Sequence, residues 1–388
     1  MEEDVAEFAR SFRQFIERMN ELAGPRKVSA IREALDTHLG GGSSKIPVVS
    51  QNFPMYDHVN VQVAIDSYLA KPGRQHQLVG LTGMNRHHMS LSDILESSSY
   101  MSVTPGPVDL INLAEGPDES RVCVQFGLYL ISDDKSPVAL LMRGPSERTP
   151  QQSVTLEMMG ASQEESRQRI VEIQRLAAEL NVFRGKVVSF GESPIGYHAA
   201  GRLIFHRRPT VKREDLILPP GRLESIETEV LSIAALKDRL LRSGQHLKRG
   251  LLLHGPPGCG KTFTVRYLVG MAKEHTVVLL TGGGLQMIRP ACSLARLLQP
   301  SIVIMEDVDL IAHQRAFHPE QSNPLLFDLL NEMEGIEEEA DIAFILTTNR
   351  ADLLEPALAA RPGRVDLAVE IGLPDEEARG RLIDLYGR

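Results

Sequence analysis

Residues Gly255-Pro256-Pro257-Gly258-Cys259-Gly260-Lys261-Thr262 spell the pattern G-x-x-x-x-G-K-[ST]. The apolar run Gly250-Leu251-Leu252-Leu253-His254 precedes them, and a helical pattern opens near Thr262. A strand, a glycine-rich turn and a helix are the setting in which this spacing cradles phosphate. The glycines let backbone N–H groups turn inward, and the helix N-terminus adds its dipole. Lys261 is placed to reach β- and γ-phosphates and the Thr262 hydroxyl to ligate Mg²⁺. Cys259 sits where only backbone is needed. A nucleoside triphosphate is the expected ligand.

The rest of the composition is that of an ordinary globular chain. Its 388 residues suffice for two or three domains, and 42% are apolar. No stretch approaches the roughly 18 apolar residues of a membrane span. The acidic start Met1-Glu2-Glu3-Asp4-Val5 lacks a secretory pattern. Cys123, Cys259 and Cys292 are scattered and without metal-ligand spacing, which points to a reducing, cytoplasmic compartment. A net charge of −9 argues against nucleic acid as a partner.

Four segments are expected. Residues 1–40 form a helical segment in which Val5, Phe8, Phe12, Phe15, Met19 and Leu22 recur at spacings of three and four. Gly40-Gly41-Gly42-Ser43-Ser44 then reads as a flexible joint. Residues 47–205 read as an α+β domain: a helix at 59–69 capped by Asp57, strands at 122–131, 138–142 and 153–158, and a helix at 163–180. Strands at 186–190 and 202–205 are expected to close its sheet. His87-His88 reads as a solvated pair rather than a ligand site. Residues 206–213 are basic and proline-interrupted, a linker. From 214 to 388 buried strands alternate with helices, the signature of a doubly wound parallel sheet.

Downstream of the phosphate loop, the buried run Ile302-Val303-Ile304-Met305 ends in Glu306-Asp307. Carboxylates at the C-terminal tip of a central parallel strand lie beside the phosphate site. Counting from the strand assigns Glu306 to the metal and Asp307 to the attacking water. A second buried run, Ala343-Phe344-Ile345-Leu346-Thr347-Thr348, ends in Asn349, an amide placed for the γ-phosphate or the water. Arg361 and Arg364, in Arg361-Pro362-Gly363-Arg364, suit charge developing on a transferring phosphoryl group.

Together these residues resemble the classical AAA branch of the AAA+ ATPases: Gly255–Thr262 as Walker A, residues 302–307 as Walker B, residues 347–349 as sensor 1 and residues 353–366 as the second region of homology. The resemblance covers about residues 214–388. It implies an α/β P-loop NTPase fold, ATP as the nucleotide, Mg²⁺, and a ring of identical subunits, usually a hexamer. It also implies that Arg361 and Arg364 act on a neighbour's nucleotide, and that Ile226 opens the adenine pocket. The implied activity is ATP hydrolysis coupled to chaperone-like remodelling of a protein partner, selected by the α+β domain.

Three departures temper the likeness. The acidic pair is Glu-Asp where most relatives have Asp-Glu, so the base is shorter by one bond, ~1.5 Å. That inversion, the loop cysteine and Arg361–Asp366 are similar to the mitochondrial branch that translocates folded Rieske protein, whose membrane segment is not read here. Residues 281–288 hold the place of a substrate-gripping pore loop without an aromatic, leaving Met287 and Ile288. The sequence ends as residues 375–386 begin the first lid helix, so an α-helical lid is expected to be absent. A nucleotide-controlled scaffold with slow turnover, and a nucleic-acid motor or clamp-loader-like switch, are the alternative readings.

Overall fold

The computed structural model describes residues 8, 11–15, 18, 29–83, 89–96, 103–145, 153–191, 202–231, 233–309, 324–335, 339–350, 352 and 365–387. His87 and His88 lie outside the described residues. The chain divides into two compact units, 1–111 with 122–179, and 112–121 with 180–388.

The first unit is built on β1 (Val49–Pro54), β2 (Gln75–Thr82), β3 (Thr104–Gly106), β4 (Asp109–Ala114), β5 (Ser120–Ser132), β6 (Val138–Arg143) and β7 (Ser153–Met159). They run β1-β7-β6-β5-β2-β3, antiparallel throughout, with β4 on β5. Its helices are α1 (Ala30–Leu39), α2 (His58–Leu69), α3 (Leu91–Glu96) and α4 (Gln163–Glu179). Successive side chains of β5 and β6 enter opposite cores. Tyr129, Ile131, Leu140 and Met142 pack with Ile65 and Tyr68 of α2 and Ile170 and Ile173 of α4. Leu128, Leu130, Ala139 and Leu141 pack with Ile31 and Leu35 of α1 and Leu91 and Ile94 of α3. A sheet covered on both faces is why these strands read as unbroken apolar runs. Each large side chain so buried stabilises the unit by about 1.5–3 kcal/mol.

Three expectations are corrected here. The helix α1 is part of this core, not a separate N-terminal segment, because Ile31 and Leu35 are fully buried. The glycine run is not a loose joint. Gly40, at φ +81°, ends α1, and the Ser43 N–H donates back to Asp36 Oδ1 at 2.8 Å. The Asp57 side chain makes no capping bond to the α2 backbone and instead accepts from Asn60 Nδ2 at 2.9 Å.

The second unit carries β8 (Val187–Phe190), β9 (Leu203–His206), β10 (Arg249–His254), β11 (Thr276–Leu280), β12 (Ser301–Met305), β13 (Ile342–Thr348) and β14 (Leu367–Glu370). The order is β14-β10-β13-β12-β11-β8-β9, and only β9 is antiparallel to its neighbour. Helices are α5 (Arg222–Leu231), α6 (Ile233–Arg242), α7 (Lys261–Met271), α8 (Ile288–Leu297), α9 (Pro324–Glu334) and α10 (Glu376–Tyr386). Because β10 lies between β13 and β14, the chain leaves its C-terminal end at a topological switch point, where open α/β sheets bind ligands.

The two strands expected to close the first sheet extend the second instead. Val187 and Val188 pair in parallel with Val277 and Val278 and are buried, which a helix-covered parallel sheet satisfies. The expected boundary at 205 therefore moves to about 180. Nor is 206–213 a solvated linker. The Arg208 guanidinium donates to the carbonyls of Val269 (2.5 Å), Ala272 (2.8 Å), His275 (2.9 Å) and Gly185 (3.1 Å), tying the end of α7 to the start of β8. Arg213 pairs with Glu224 at 2.7 Å and Glu227 at 3.1 Å on α5.

Candidate active site at the strand tips of the second unit

The phosphate loop leaves β10 and becomes α7, as its sequence predicts. Gly255 sits at φ +146°, where an added Cβ would lie 2.1 Å from the Ile371 carbonyl oxygen. Only glycine lets β10 and the segment after β14 approach so closely. Gly258 and Gly260, at φ +80° and +101°, supply the left-handed turns, and Gly260 caps α7. Pro256 and Pro257 are exposed on the crest, whereas the Cys259 side chain packs partly against the core below. Lys261 is buried. Its ammonium uses its three protons on Gly255 O (2.8 Å), Pro256 O (2.9 Å) and Asn349 Oδ1 (2.8 Å).

The acids and the amide meet because β12 and β13 are parallel neighbours, with Met305 opposite Leu346. Glu306 Oε1 is buried without a hydrogen-bond partner among the described residues. Burial, with the Asp307 charge beside it, pushes the Glu306 carboxyl above the usual range despite a hydrogen bond from Thr262. Asp307 adopts φ +52°, a left-handed conformation held by its N–H donating to Thr347 Oγ1 at 3.0 Å. Asn349 Nδ2 reaches Asp307 Oδ1 at 3.3 Å, so a continuous path runs from Lys261 through Asn349 to Asp307.

Beside the loop opens a cavity of about 370 Å³, walled by Ile217, Leu218, Pro219, Gly258, Leu373 and Tyr386 among others. Ile226 is not on that wall. It is 0% exposed, inside the core with Val230 and Leu268, and its assignment to a base pocket is corrected. The wall is the preceding apolar stretch, Leu216-Ile217-Leu218-Pro219-Pro220, whose lack of helical or strand periodicity was the signal available in the sequence.

Residues 251–373 match the family described as ATPase family associated with various cellular activities (AAA). The second unit carries an AAA ATPase domain. The chain is 31% identical over 194 residues to the 26S protease regulatory subunit 6A of Caenorhabditis elegans, covering 47% of this chain and 45% of that protein. It is 34% identical over 212 residues to the ATP-dependent zinc metalloprotease FtsH 2 of Sphaerobacter thermophilus, covering 51% and 32%. A third relative, the ATP-dependent zinc metalloprotease FtsH of Mycoplasmopsis synoviae, is 34% identical over 183 residues, covering 43% and 27%. The chain thus spans less than half the length of each of these relatives.

Within the AAA domain one further expectation, the pore segment, meets the structure. Ile288 is 1% exposed at the start of α8 and Met287 is only half-exposed, so Ile288 is not available to grip substrate. Arg361 and Arg364 lie outside the described residues. Sequence reasoning missed Asp309, which is buried and accepts from Thr348 Oγ1 and the Asn349 N–H. No described helix is long and apolar enough to cross a membrane.

Proposed function

We propose that the AAA domain binds and hydrolyses ATP with Mg²⁺, as an oligomeric ring of copies of this chain, and that turnover remodels a protein partner bound through the first unit. The convergence of Lys261, Asn349 and Asp307 beside Glu306, whose buried Oε1 has no partner among the described residues, carries this reading. The phosphate-loop amides and Lys261 bind the phosphates. The cavity walled by Ile217, Leu218 and Tyr386 receives the base. Asn349 orients water on the γ-phosphorus and Asp307 takes its proton. The new P–O bond forms as the bond to the β-phosphate oxygen breaks and ADP departs.

The donor set fits a hard cation: an oxygen-only pair, Thr262 and Glu306, with Glu306 Oε1 buried and without a partner among the described residues, and the Asp307 carboxylate adjacent. Thr262 and Glu306 would hold Mg²⁺, which supplies neutralisation of charge on the β- and γ-phosphate oxygens. Arg361 and Arg364 are proposed to complete a neighbouring copy's site. A protein substrate is supported by relatives named as a protease and a protease regulatory subunit.

The deciding experiment measures Mg²⁺-dependent ATP turnover against protein concentration, with Asp307→Asn and Arg361→Ala in parallel. Turnover that rises cooperatively and collapses in both variants supports the ring ATPase. Tight ATP binding without turnover, unaltered by either variant, leaves the second reading, an assembly scaffold set by nucleotide. The burial of Ile288, which removes it from substrate contact, favours that alternative over processive threading.

A further inference from the structure

Asp309 lies two residues beyond the Walker B pair and is only 6% exposed. Its Oδ1 accepts two protons from the tip of β13, from Thr348 Oγ1 at 3.0 Å and from the Asn349 N–H at 3.1 Å. Thr348 Oγ1 itself accepts from the Arg350 N–H at 3.0 Å, so its own proton is free to point at Asp309. In return, the tip of β13 holds the acid loop. Thr347 Oγ1 accepts from the Asp307 N–H at 3.0 Å and Thr347 O from the Val308 N–H at 3.0 Å. The two strand tips therefore lock each other. The bonds through Asp309 set where the Asn349 backbone stands, and with it the amide that touches both Lys261 and Asp307.

Resting on the ATP-binding reading above, we infer that Asp309 is the positioning residue that makes Asn349 sensitive to the γ-phosphate. Without it the tip of β13 is free to turn the Asn349 amide out of the path between Lys261 and Asp307. The base cavity and phosphate loop, which hold the parts common to ATP and ADP, are untouched. Discrimination between the two nucleotides is lost while affinity for ADP stays. A purely structural role would weaken both nucleotides together or neither.

The test titrates the full chain, with Mg²⁺, against ADP and an imido-linked ATP analogue. Wild type is expected to prefer the analogue. In Asp309→Ala the analogue weakens about 10-fold, the scale of one or two lost hydrogen bonds, and ADP stays within about 2-fold. Asp309→Asn keeps an acceptor oxygen at the same place and retains most of the preference. Thr348→Val removes one of the two bonds and gives an intermediate loss of about 3-fold. It carries the test should Asp309→Ala not fold. An unchanged preference in Asp309→Ala and Thr348→Val, or an equal loss for both nucleotides, overturns the inference alone. A wild type that binds neither nucleotide overturns the ATPase reading, and this inference with it.

Discussion

The Lys261 ammonium and the Asn349 amide oxygen are 2.8 Å apart, although 88 residues separate them in the chain. Lys261 also donates to two carbonyls of its own loop, so an arriving phosphate must replace partners that are already good. The two residues therefore divide binding and chemistry unequally. Lys261→Ala is expected to abolish nucleotide binding. Asn349→Ala should weaken ATP about 10-fold and ADP hardly at all, while kcat falls about 100-fold, as for loss of one oriented polar group. Calorimetric titration beside steady-state turnover checks both; equal losses in Kd and kcat for Asn349→Ala would contradict the division.

Gly255 and Gly258 should respond differently to alanine. At Gly255 the methyl group meets the Ile371 carbonyl at 2.1 Å, and Ile371 is itself bonded to His254 O at 2.7 Å. Gly255→Ala must push β14 from β10 and should cost about 3 kcal/mol or more. At Gly258 an added Cβ meets nothing within 4 Å among the described residues, so only the left-handed φ is penalised, at about 1–2 kcal/mol. Urea unfolding midpoints of the two variants provide the comparison.

Arg208 satisfies four carbonyls from one side chain. Arg208→Ala is expected to lower stability by about 2–4 kcal/mol, since the carbonyls at the end of α7 lose charged donors. Arg208→Lys should recover less than half of this, because a single ammonium lacks the planar fork that reaches across them. Chemical denaturation of the three proteins tests the ordering.

His275 is 4% exposed, and neither ring nitrogen has a hydrogen-bond partner among the described residues. Burial holds its pKa below the ordinary 6.5, with Asp341 and Glu274 opposing and Arg249 and Arg208 reinforcing the shift. The unfolded chain therefore binds a proton near pH 6.5 that the folded chain refuses. The resulting stability is full above 6.5 and is lost as pH falls toward the depressed folded value. Melting temperature should drop between pH 7.5 and 5.5, and His275→Leu should shrink that drop. His58, lowered by burial in the first unit, leaves a residual slope. An identical pH dependence in His275→Leu would exclude this source.

What was legible followed from locality. The phosphate loop needs its glycines, Lys261 and Thr262 within one turn and helix start, so its chemistry is contiguous in sequence. The acids and Asn349 were legible because each ends a buried strand. Asp309 was not, since an acid after a Walker B pair reads as surface until Thr348 and Asn349, about 40 residues on, are seen to donate to it. Strands β8 and β9 were misplaced for a related reason. A short apolar run pairs equally well with either sheet until Val277 and Val278 claim it.

By itself, then, the sequence determined the phosphate loop, the helix it opens, the buried strands carrying Glu306, Asp307 and Asn349, and the existence of strands β5 and β6. Those depend on backbone freedom and periodicity within a few residues. Only the tertiary structure decided that Ile226 is core while Leu216–Pro220 is cavity wall, that Arg208 binds carbonyls, and that Asp309 holds the tip of β13. Each of these rests on partners brought close by the parallel stacking of strands far apart in the chain, and a linear pattern carries no record of which strand tips become neighbours.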